Sequence, residues 1–134
     1  MPRIKLTAKL EKLEPMLTFI EQGAINQGFD ATNLNRMHLA SEEVLVNIIN
    51  YAYPDKCGNI EITYGVKEDE RFVMEIIDWG IPFDPLSLPK PDVEAPLEKR
   101  KVGGLGIYLV RILMDEVNYR RDQDRNILTL IKYQ

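Results

Sequence analysis

Asn47 is the only polar residue in the apolar run Val44-Leu45-Val46-Asn47-Ile48-Ile49, and Glu43 precedes it by four positions. In a helix, residues four apart lie on the same face, so the amide and the carboxylate would face the same space. An amide oxygen is a reasonable Mg²⁺ ligand, and a nearby carboxylate can orient or deprotonate a nucleophile. The alternative is a core asparagine beside a solvated glutamate. Glu42 is the weaker candidate, because it lies one residue off that face.

A second polar group, Asp78, directly follows an apolar stretch that begins at Phe72. A carboxylate in that position is costly unless a donor meets it, and the exocyclic amino group of a purine would be such a donor. Gly80 lets the chain turn away and leaves room for a flat ring, and Phe83 can pack beneath the turn. The competing interpretation is an aspartate that caps a tight loop.

The third feature is the tetrad Gly103-Gly104-Leu105-Gly106, which opens an amphipathic segment over 107–114. Glycine lets a backbone approach a ligand, and a helix N-terminus offers unpaired N–H groups and a positive dipole end. Together they predict a phosphate site, although glycines also break loops before helices without any ligand. The preceding segment, 80–102, holds five prolines and no periodicity. A loop of that length is usually functional or disordered.

The elements that must position these residues follow from hydrophobic periodicity. Strands are predicted over 3–8, 59–66, 72–79, 118–123 and 127–133, with a turn at 124–126 before the last strand. Helices are predicted from about 14 to 28, 34 to 51 and 105 to 117. This order predicts an α+β fold, a two-layer sandwich in which a mostly antiparallel sheet is covered on one face by about three helices.

Length and composition limit the class of protein. The 134 residues, 45% hydrophobic and 28% charged, predict one domain over 1–134 with a sizeable core. A net charge of −4 gives no basic footprint for nucleic acid, and no apolar run approaches the length of a membrane span. The single cysteine, Cys57, excludes an internal disulfide and fits a reducing compartment, so we expect a cytoplasmic protein.

In order and spacing, the Glu43…Asn47 pair, Asp78-x-Gly80-x-Pro82-Phe83 and the glycine tetrad resemble the N, G1 and G2 boxes of the Bergerat-type (GHKL) ATP-binding fold. Gyrase, sensor histidine kinases, heat-shock chaperone ATPases and mismatch-repair ATPases share that fold. Within this superfamily, the segments 41–47, 83–85, 103–110 and 126–130 most resemble the small bacterial anti-sigma factor serine/threonine kinases of partner-switching systems. The resemblance covers nearly the whole chain.

The resemblance implies ATP and Mg²⁺ as cofactors and a role for each motif residue. Asn47 would coordinate the Mg²⁺ that bridges the phosphates, and Glu43 would be the general base or would position the attacking hydroxyl. Asp78 would accept a hydrogen bond from the adenine amino group, and Gly80 would give clearance. One metal, one base and a cationic lid suffice for phosphoryl transfer, which needs mainly alignment and charge neutralisation.

The phosphate side of the implied site comes from the glycine tetrad and the loop before it. The backbone N–H groups of Gly104, Leu105 and Gly106, with Gly103 beside them, would bind the phosphates. The segment 86–102 would be the ATP lid, from which Arg100 or Lys101 could reach the γ-phosphate.

Three positions bear on how far the resemblance extends. Tyr51 stands where some family members carry a histidine, one turn after the magnesium asparagine. Arg125-Asn126 replaces the usual glycine-threonine near the last strand, so Asn126 is a stand-in for a nucleotide contact. The sole histidine, His38, is interpreted as a helix-surface or packing residue rather than a phosphoacceptor.

The function predicted from the sequence is a serine/threonine kinase and anti-sigma factor that phosphorylates an anti-sigma factor antagonist and binds a sigma factor. The alternative is a non-catalytic ATP-binding regulatory module, which could lose Glu43 without penalty. A sensor histidine kinase domain is disfavoured, because 134 residues leave no space for a dimerisation helix pair. Family members are commonly homodimers, and a half-covered sheet edge near 3–8 would allow one. We expect no nucleic-acid or membrane partner.

Overall fold

The computed structural model describes residues 1–67, 69–82, 84 and 104–134, with backbone alone over 104–107. These residues form five strands and three α-helices, and a short 3₁₀ turn, Leu10–Lys12, precedes the first α-helix. In chain order the elements are β1 Arg3–Thr7, α1 Leu13–Asn26, α2 Ala31–Tyr51, β2 Asn59–Val66, β3 Arg71–Asp78, α3 Gly104–Leu113, β4 Glu116–Asp122 and β5 Arg125–Tyr133. None of the helices in these ranges is long and apolar enough to cross a bilayer.

The five strands form one antiparallel sheet in the order β1-β2-β3-β5-β4. Because side chains alternate along a strand, Phe72, Met74 and Ile76 of β3 share one face, where they are buried in the core with helix residues. Asp78 is the next residue on that face, and the register pairs it with Asn126 of β5. The helices cover this face, so the predicted α+β two-layer sandwich is confirmed.

Helix α2 is the element that carries the candidate metal and base residues. It begins three residues before the predicted position, because the Asp30 side chain caps it by accepting a hydrogen bond from the Asn33 backbone N–H at 2.8 Å. Its buried residues recur at the helical period and pack toward the sheet: Met37, Ala40, Ser41, Val44 and Leu45. This packing fixes the direction in which Asn47 points.

The C-terminal elements differ from the prediction in their bounds. Helix α3 ends at Leu113 rather than near Val117. At this end, the Lys132 ammonium donates to the Leu113 carbonyl at 3.1 Å. Strand β4 therefore begins early, and the turn after it is shorter than predicted: Gln123 has a φ of 59° and the register already pairs Asp122 with Arg125. Asn126 consequently lies within β5 and not in a turn.

Candidate functional site

A cavity of about 90 Å³ opens between the C-terminal half of α2 and the ends of β3, β4 and β5. Its described lining is mostly apolar with a few polar groups, a pattern typical of small-molecule sites. The lining side chains are Val44, Asn47, Ile48, Tyr51, Ala52, Asp78, Ile81, Tyr119, Asn126 and Leu128. Three predicted site residues from distant parts of the chain, Asn47, Asp78 and Asn126, therefore share one cavity.

Asp78 presents a buried carboxylate to this cavity from the last position of β3. Its side chain is 4% exposed, and its Oδ1 accepts hydrogen bonds from the Gly80 N–H and the Asn126 Nδ2, both at 2.9 Å. Burial raises the pKa of the carboxyl above its usual value, while the bonds from Asn126 and Gly80 and the nearby Arg121 act in the opposite direction. Both described hydrogen bonds use Oδ1, so Oδ2 is the oxygen that a ligand would meet.

Asn126 is held by four hydrogen bonds, which is the full capacity of an amide side chain. Its Nδ2 donates to Asp78 Oδ1 at 2.9 Å and to the Ile81 carbonyl at 2.8 Å. Its Oδ1 accepts from the Tyr119 hydroxyl at 2.7 Å and from Arg121 Nη1 at 3.2 Å. The hydrogen-bonding positions of Asn126 are thus all used within the protein, where Asn126 supports Asp78, and its contact with a nucleotide stays a prediction.

Gly80 is needed for packing against the end of α2. A Cβ at this position would lie 2.3 Å from the Ala52 carbonyl oxygen and 2.7 Å from the Ala52 Cβ. The next residue, Ile81, donates its N–H to the same Ala52 carbonyl at 3.0 Å. The structure shows that Gly80 gives clearance for Ala52, and its clearance for a flat ring stays a prediction.

Tyr53 connects three segments beside the cavity. Its hydroxyl donates to the Asn59 carbonyl at 2.6 Å and accepts from the Trp79 N–H at 2.7 Å. Burial and the neighbouring Asp78 raise the pKa of this hydroxyl. Its ring lies so close to Gly58 that a Cβ there would be 2.0 Å from a ring carbon. Tyr53 thus fixes the backbone that follows Asp78, a role that the sequence analysis missed.

Asn47 and Glu43 lie one turn apart on α2 and differ in burial. Asn47 is half-buried in the cavity wall, and no described residue forms a hydrogen bond with its side chain. Glu43, one turn earlier, is exposed and lies outside the lining. The competing carboxylate, Glu42, faces His38 at 3.4 Å, and both of these side chains are partly exposed. His38 is therefore a helix-surface residue, as predicted, and the Glu42 carboxylate lies beside it.

The donor set fits Mg²⁺ only together with phosphates. Over 1–67, 69–82, 84 and 104–134, no group of three or more His, Cys, Asp or Glu residues could hold a metal ion. Mg²⁺ bound with nucleotide phosphates keeps several waters and needs only one or two protein oxygens. The amide oxygen of Asn47, which has no partner among the described residues, fits that requirement.

The glycine tetrad falls where α3 begins. The helix starts at Gly104, so the backbone N–H groups of Gly104, Leu105 and Gly106 lie in its first turn, where N–H groups have no partner within the helix. Helix α3 packs against α2, which carries Asn47. Gly103, Arg100, Lys101, Phe83 and the predicted lid over 86–102 lie outside the described residues.

Residues 6–132 match the family profile of the histidine kinase-like ATPase domain. A serine-protein kinase RsbW of Bacillus cereus is 31% identical over 134 residues, which cover 97% of this chain and 82% of that protein. The serine-protein kinase RsbW of Bacillus thuringiensis subsp. konkukian has the same identity and coverage.

Two solved structures share the fold at low sequence identity. The RsbU and RsbW domains of Rv1364c from Mycobacterium tuberculosis align with a TM-score of 0.68 and 14% identity, over 99% of this chain and 32% of that chain. The histidine kinase domain of the Erythrobacter litoralis EL346 blue-light activated histidine kinase aligns with a TM-score of 0.55 and 20% identity, over 90% of this chain and 60% of that one. This chain spans less than two thirds of either protein, and the likeness concerns the fold.

Proposed function

The chain belongs to the histidine kinase-like ATPase domain family, and we propose that it is an ATP- and Mg²⁺-dependent serine/threonine protein kinase. Relatives that align over nearly its whole length are named serine-protein kinases. The observation that carries the proposal is the buried Asp78 carboxylate, held by Asn126 in a cavity that also contains the Asn47 amide. A fixed acceptor and an available metal ligand in one mostly apolar cavity suit a purine nucleotide.

At the sheet side of the cavity, Asp78 recognises the base. Adenine carries an amino group that donates to a carboxylate oxygen, whereas guanine carries a carbonyl at the same ring position, which a carboxylate repels. The apolar side chains of Val44, Ile48 and Leu128 line the space that a flat ring would occupy. This explains why a charged group is kept buried here despite the desolvation cost.

At the helix side of the cavity, Asn47 is the protein ligand for Mg²⁺. The bound metal supplies charge neutralisation and alignment of the phosphates. The N–H groups in the first turn of α3 donate to the phosphate oxygens, and the helix dipole favours the negative charge there. We retain Gly103, Arg100 and a lid over 86–102 as predicted phosphate-binding groups.

Glu43 accepts the proton of the incoming hydroxyl. The serine or threonine oxygen forms a bond to the γ-phosphorus, the bond from that phosphorus to the β,γ-bridging oxygen breaks, and ADP leaves. Glu43 lies one turn from Asn47 on the same helix face, and it is exposed. An exposed base is accessible to a side chain that arrives on another protein, which agrees with transfer to a protein substrate and not to water held in a closed site.

We further propose that the substrate is an anti-sigma factor antagonist, that a sigma factor is the second partner, and that the protein is cytoplasmic. The partner-switching kinases that the sequence resembles and the RsbW name of its relatives support this assignment. A homodimer is part of the proposal, because β1 is an edge strand whose outer backbone groups have no neighbouring strand in the described sheet.

The test is phosphoserine formation on a purified anti-sigma factor antagonist protein, with γ-labelled ATP and Mg²⁺. Wild type should label the substrate, Glu43→Gln should bind ATP without labelling it, and the matched control Glu42→Gln should label it at the wild-type rate. If wild type binds ATP and the partner but transfers no phosphate, the non-catalytic regulatory module replaces the kinase. If it binds no ATP, both functions are excluded.

A further inference from the structure

A group of polar side chains on β4 and β5 surrounds the Asp78 carboxylate on the helix-covered face of the sheet. Tyr119 and Arg121 lie two residues apart on β4, and Arg121 is paired in register with Asn126 on β5. The four polar side chains Asp78, Asn126, Tyr119 and Arg121, which we term the base-side network, are linked by hydrogen bonds of 2.7 to 3.2 Å. The sequence motifs include only Asp78 and Asn126 of this network.

We propose that Tyr119 and Arg121 are positioning residues that make the site select adenine, by fixing the orientation of Asn126 and through it that of Asp78. The inference rests on the assignment of Asp78 to the base in the proposed function. It goes beyond that assignment, because neither residue belongs to the motifs and Arg121 does not line the cavity within the described part of the chain.

The orientation of an amide depends on the groups that face its two ends. A guanidinium has donors and no acceptor, so Arg121 Nη1 at 3.2 Å requires an oxygen of Asn126 in front of it. The Tyr119 hydroxyl donates to the same oxygen at 2.7 Å. Nδ2 is therefore directed to Asp78 and to the Ile81 carbonyl. If the amide turned over, its oxygen would face the Asp78 carboxylate and two acceptors would meet.

Arg121 also fixes the turn that follows Asp78. Its Nη1 donates to the Gly80 carbonyl at 3.0 Å, and its Nε donates to the Gln123 carbonyl at 3.1 Å. The Gly80 N–H in turn donates to Asp78 Oδ1. One guanidinium thus connects the edge strand with both groups that bind Oδ1, Gly80 and Asn126, and Oδ2 keeps no hydrogen bond among the described residues.

Selectivity follows from how the donor hydrogens are used. Both hydrogens of Asn126 Nδ2 and the hydroxyl hydrogen of Tyr119 are directed within the network. The cavity wall at this point therefore offers acceptors and no free donor from Asn126 or Tyr119. An amino group of adenine finds an acceptor there, while a carbonyl of guanine finds none of the donors that it needs.

The test compares Arg121→Met with Arg120→Met, measuring ATP, ADP and GTP affinity by calorimetry. Arg120 is the matched control, because it lies on the opposite face of β4 and pairs with Glu75 and Asp122 at 3.8 Å. Arg121→Met should weaken ATP and ADP by the same factor, about five- to tenfold, and lower the preference for ATP over GTP by about tenfold. Arg120→Met should change neither. Arg121→Lys, which keeps a donor-only head group, should restore most of the preference.

A second variant, Tyr119→Phe, removes one hydroxyl and should lower the same preference about threefold while the thermal unfolding midpoint stays within a few degrees. If both variants weaken ATP and GTP equally, the network is merely structural and the inference is overturned. If wild type prefers ATP and both variants keep the same preference, the inference about Tyr119 and Arg121 is overturned, but the adenine assignment is not. A wild type without preference for ATP overturns the adenine assignment of the proposed function together with it.

Discussion

Two asparagines line the same cavity, and their side chains are held in opposite ways. Asn126 on the sheet side uses all four of its hydrogen-bonding positions on Asp78, Ile81, Tyr119 and Arg121. The side chain of Asn47 on the helix side has no hydrogen bond with any described residue. Burying an amide without partners costs about 1–3 kcal/mol, so its half-exposed position on the cavity wall is tolerable only beside water or a ligand.

The difference teaches which part of the proposed site is preformed. The sheet side is fixed before a ligand arrives, because strands β3, β4 and β5 hold the network by their register. On the helix side, the side chain of Asn47 has no hydrogen-bond partner among the described residues, so under the proposed function phosphates and Mg²⁺ complete this side. The purine side of the proposed site is therefore preorganised and the phosphate side is incomplete. We expect substitutions on the purine side to change nucleotide affinity and substitutions on the phosphate side to change phosphoryl transfer.

The largest effect is expected from Asn47→Ala, on the incomplete side. Loss of the metal ligand should weaken Mg²⁺-ATP binding and abolish phosphoryl transfer together, while ATP binding without Mg²⁺ stays near wild type. The measurements are ATP affinity with and without Mg²⁺ and phosphoserine formation. Asn50→Ala is the control, since Asn50 is an exposed residue of the same helix. An equal loss with and without Mg²⁺ would show that Asn47 binds the nucleotide by another route.

Glu43→Gln should separate transfer from binding on the same helix. The amide preserves the shape of the side chain but cannot take a proton, so transfer should fall by roughly 10²–10⁴-fold while ATP affinity and partner affinity stay nearly unchanged. Single-turnover transfer rates and calorimetry on the same preparation provide the measurement. Transfer at the wild-type rate would exclude Glu43 as the base and direct attention to Glu42, despite its contact with His38.

On the preformed side, Asp78→Asn should weaken ATP binding by roughly 10–100-fold, because a charged acceptor is lost and the amide adds a donor that opposes the amino group of adenine. Trp79, the sole tryptophan, directly follows Asp78 and offers a fluorescence signal for titration. Wild type should prefer ATP to GTP, and the variant should lose that preference. Equal affinity of wild type for ATP and GTP would refute the assignment.

The sequence predicted the parts of this site that depend on local pattern. Helical spacing placed Glu43 and Asn47 on one face, and the apolar run ending at Asp78 located the buried carboxylate. Tyr53 and Arg121 were missed because their partners lie 26 and 41 residues away and are set by tertiary packing and strand register. No local signal distinguishes such a tyrosine or arginine from a solvated one.

The C-terminal bounds show the same limit. The edge strand β4 is largely polar, so it lacks the alternation that marks a half-buried strand, and Val117 suits a helix pattern as well as a strand pattern. The error placed Asn126 in a turn, and only the pairing of β3 with β5 reveals that it lies opposite Asp78. The reason for Gly80 was also nonlocal, because Ala52 lies at the end of a different element.

The smallest expected effect is on the pH dependence of folding stability, which reflects the free-energy cost of keeping the buried Asp78 carboxylate ionised. Burial raises the pKa of this carboxyl in the folded protein, so the folded state holds the proton more tightly than the unfolded chain. The stabilisation from the bound proton is fully present below the unfolded pKa, about 3.9, and is lost as the pH rises through the folded pKa. Near Asp78, the pKa of the Tyr53 hydroxyl is raised from its ordinary value of 10.0, so Tyr53 does not titrate in this window.

Asp78→Asn removes this charge but can still accept the bonds from the Gly80 N–H and Asn126. The unfolding free energy of the variant, relative to that of wild type, should therefore increase as the pH rises from about 4. This difference should become constant above the pKa of Asp78 in the folded protein. The gain should be a small part of the roughly 5–15 kcal/mol that stabilises a domain. Denaturant unfolding of both proteins across pH gives the difference, and Asp124→Asn in the exposed turn should show none. If the variant instead loses stability relative to wild type as the pH rises, the ionised Asp78 carboxylate stabilises the fold. The buried charge would then be explained by protein stability and not by recognition of adenine.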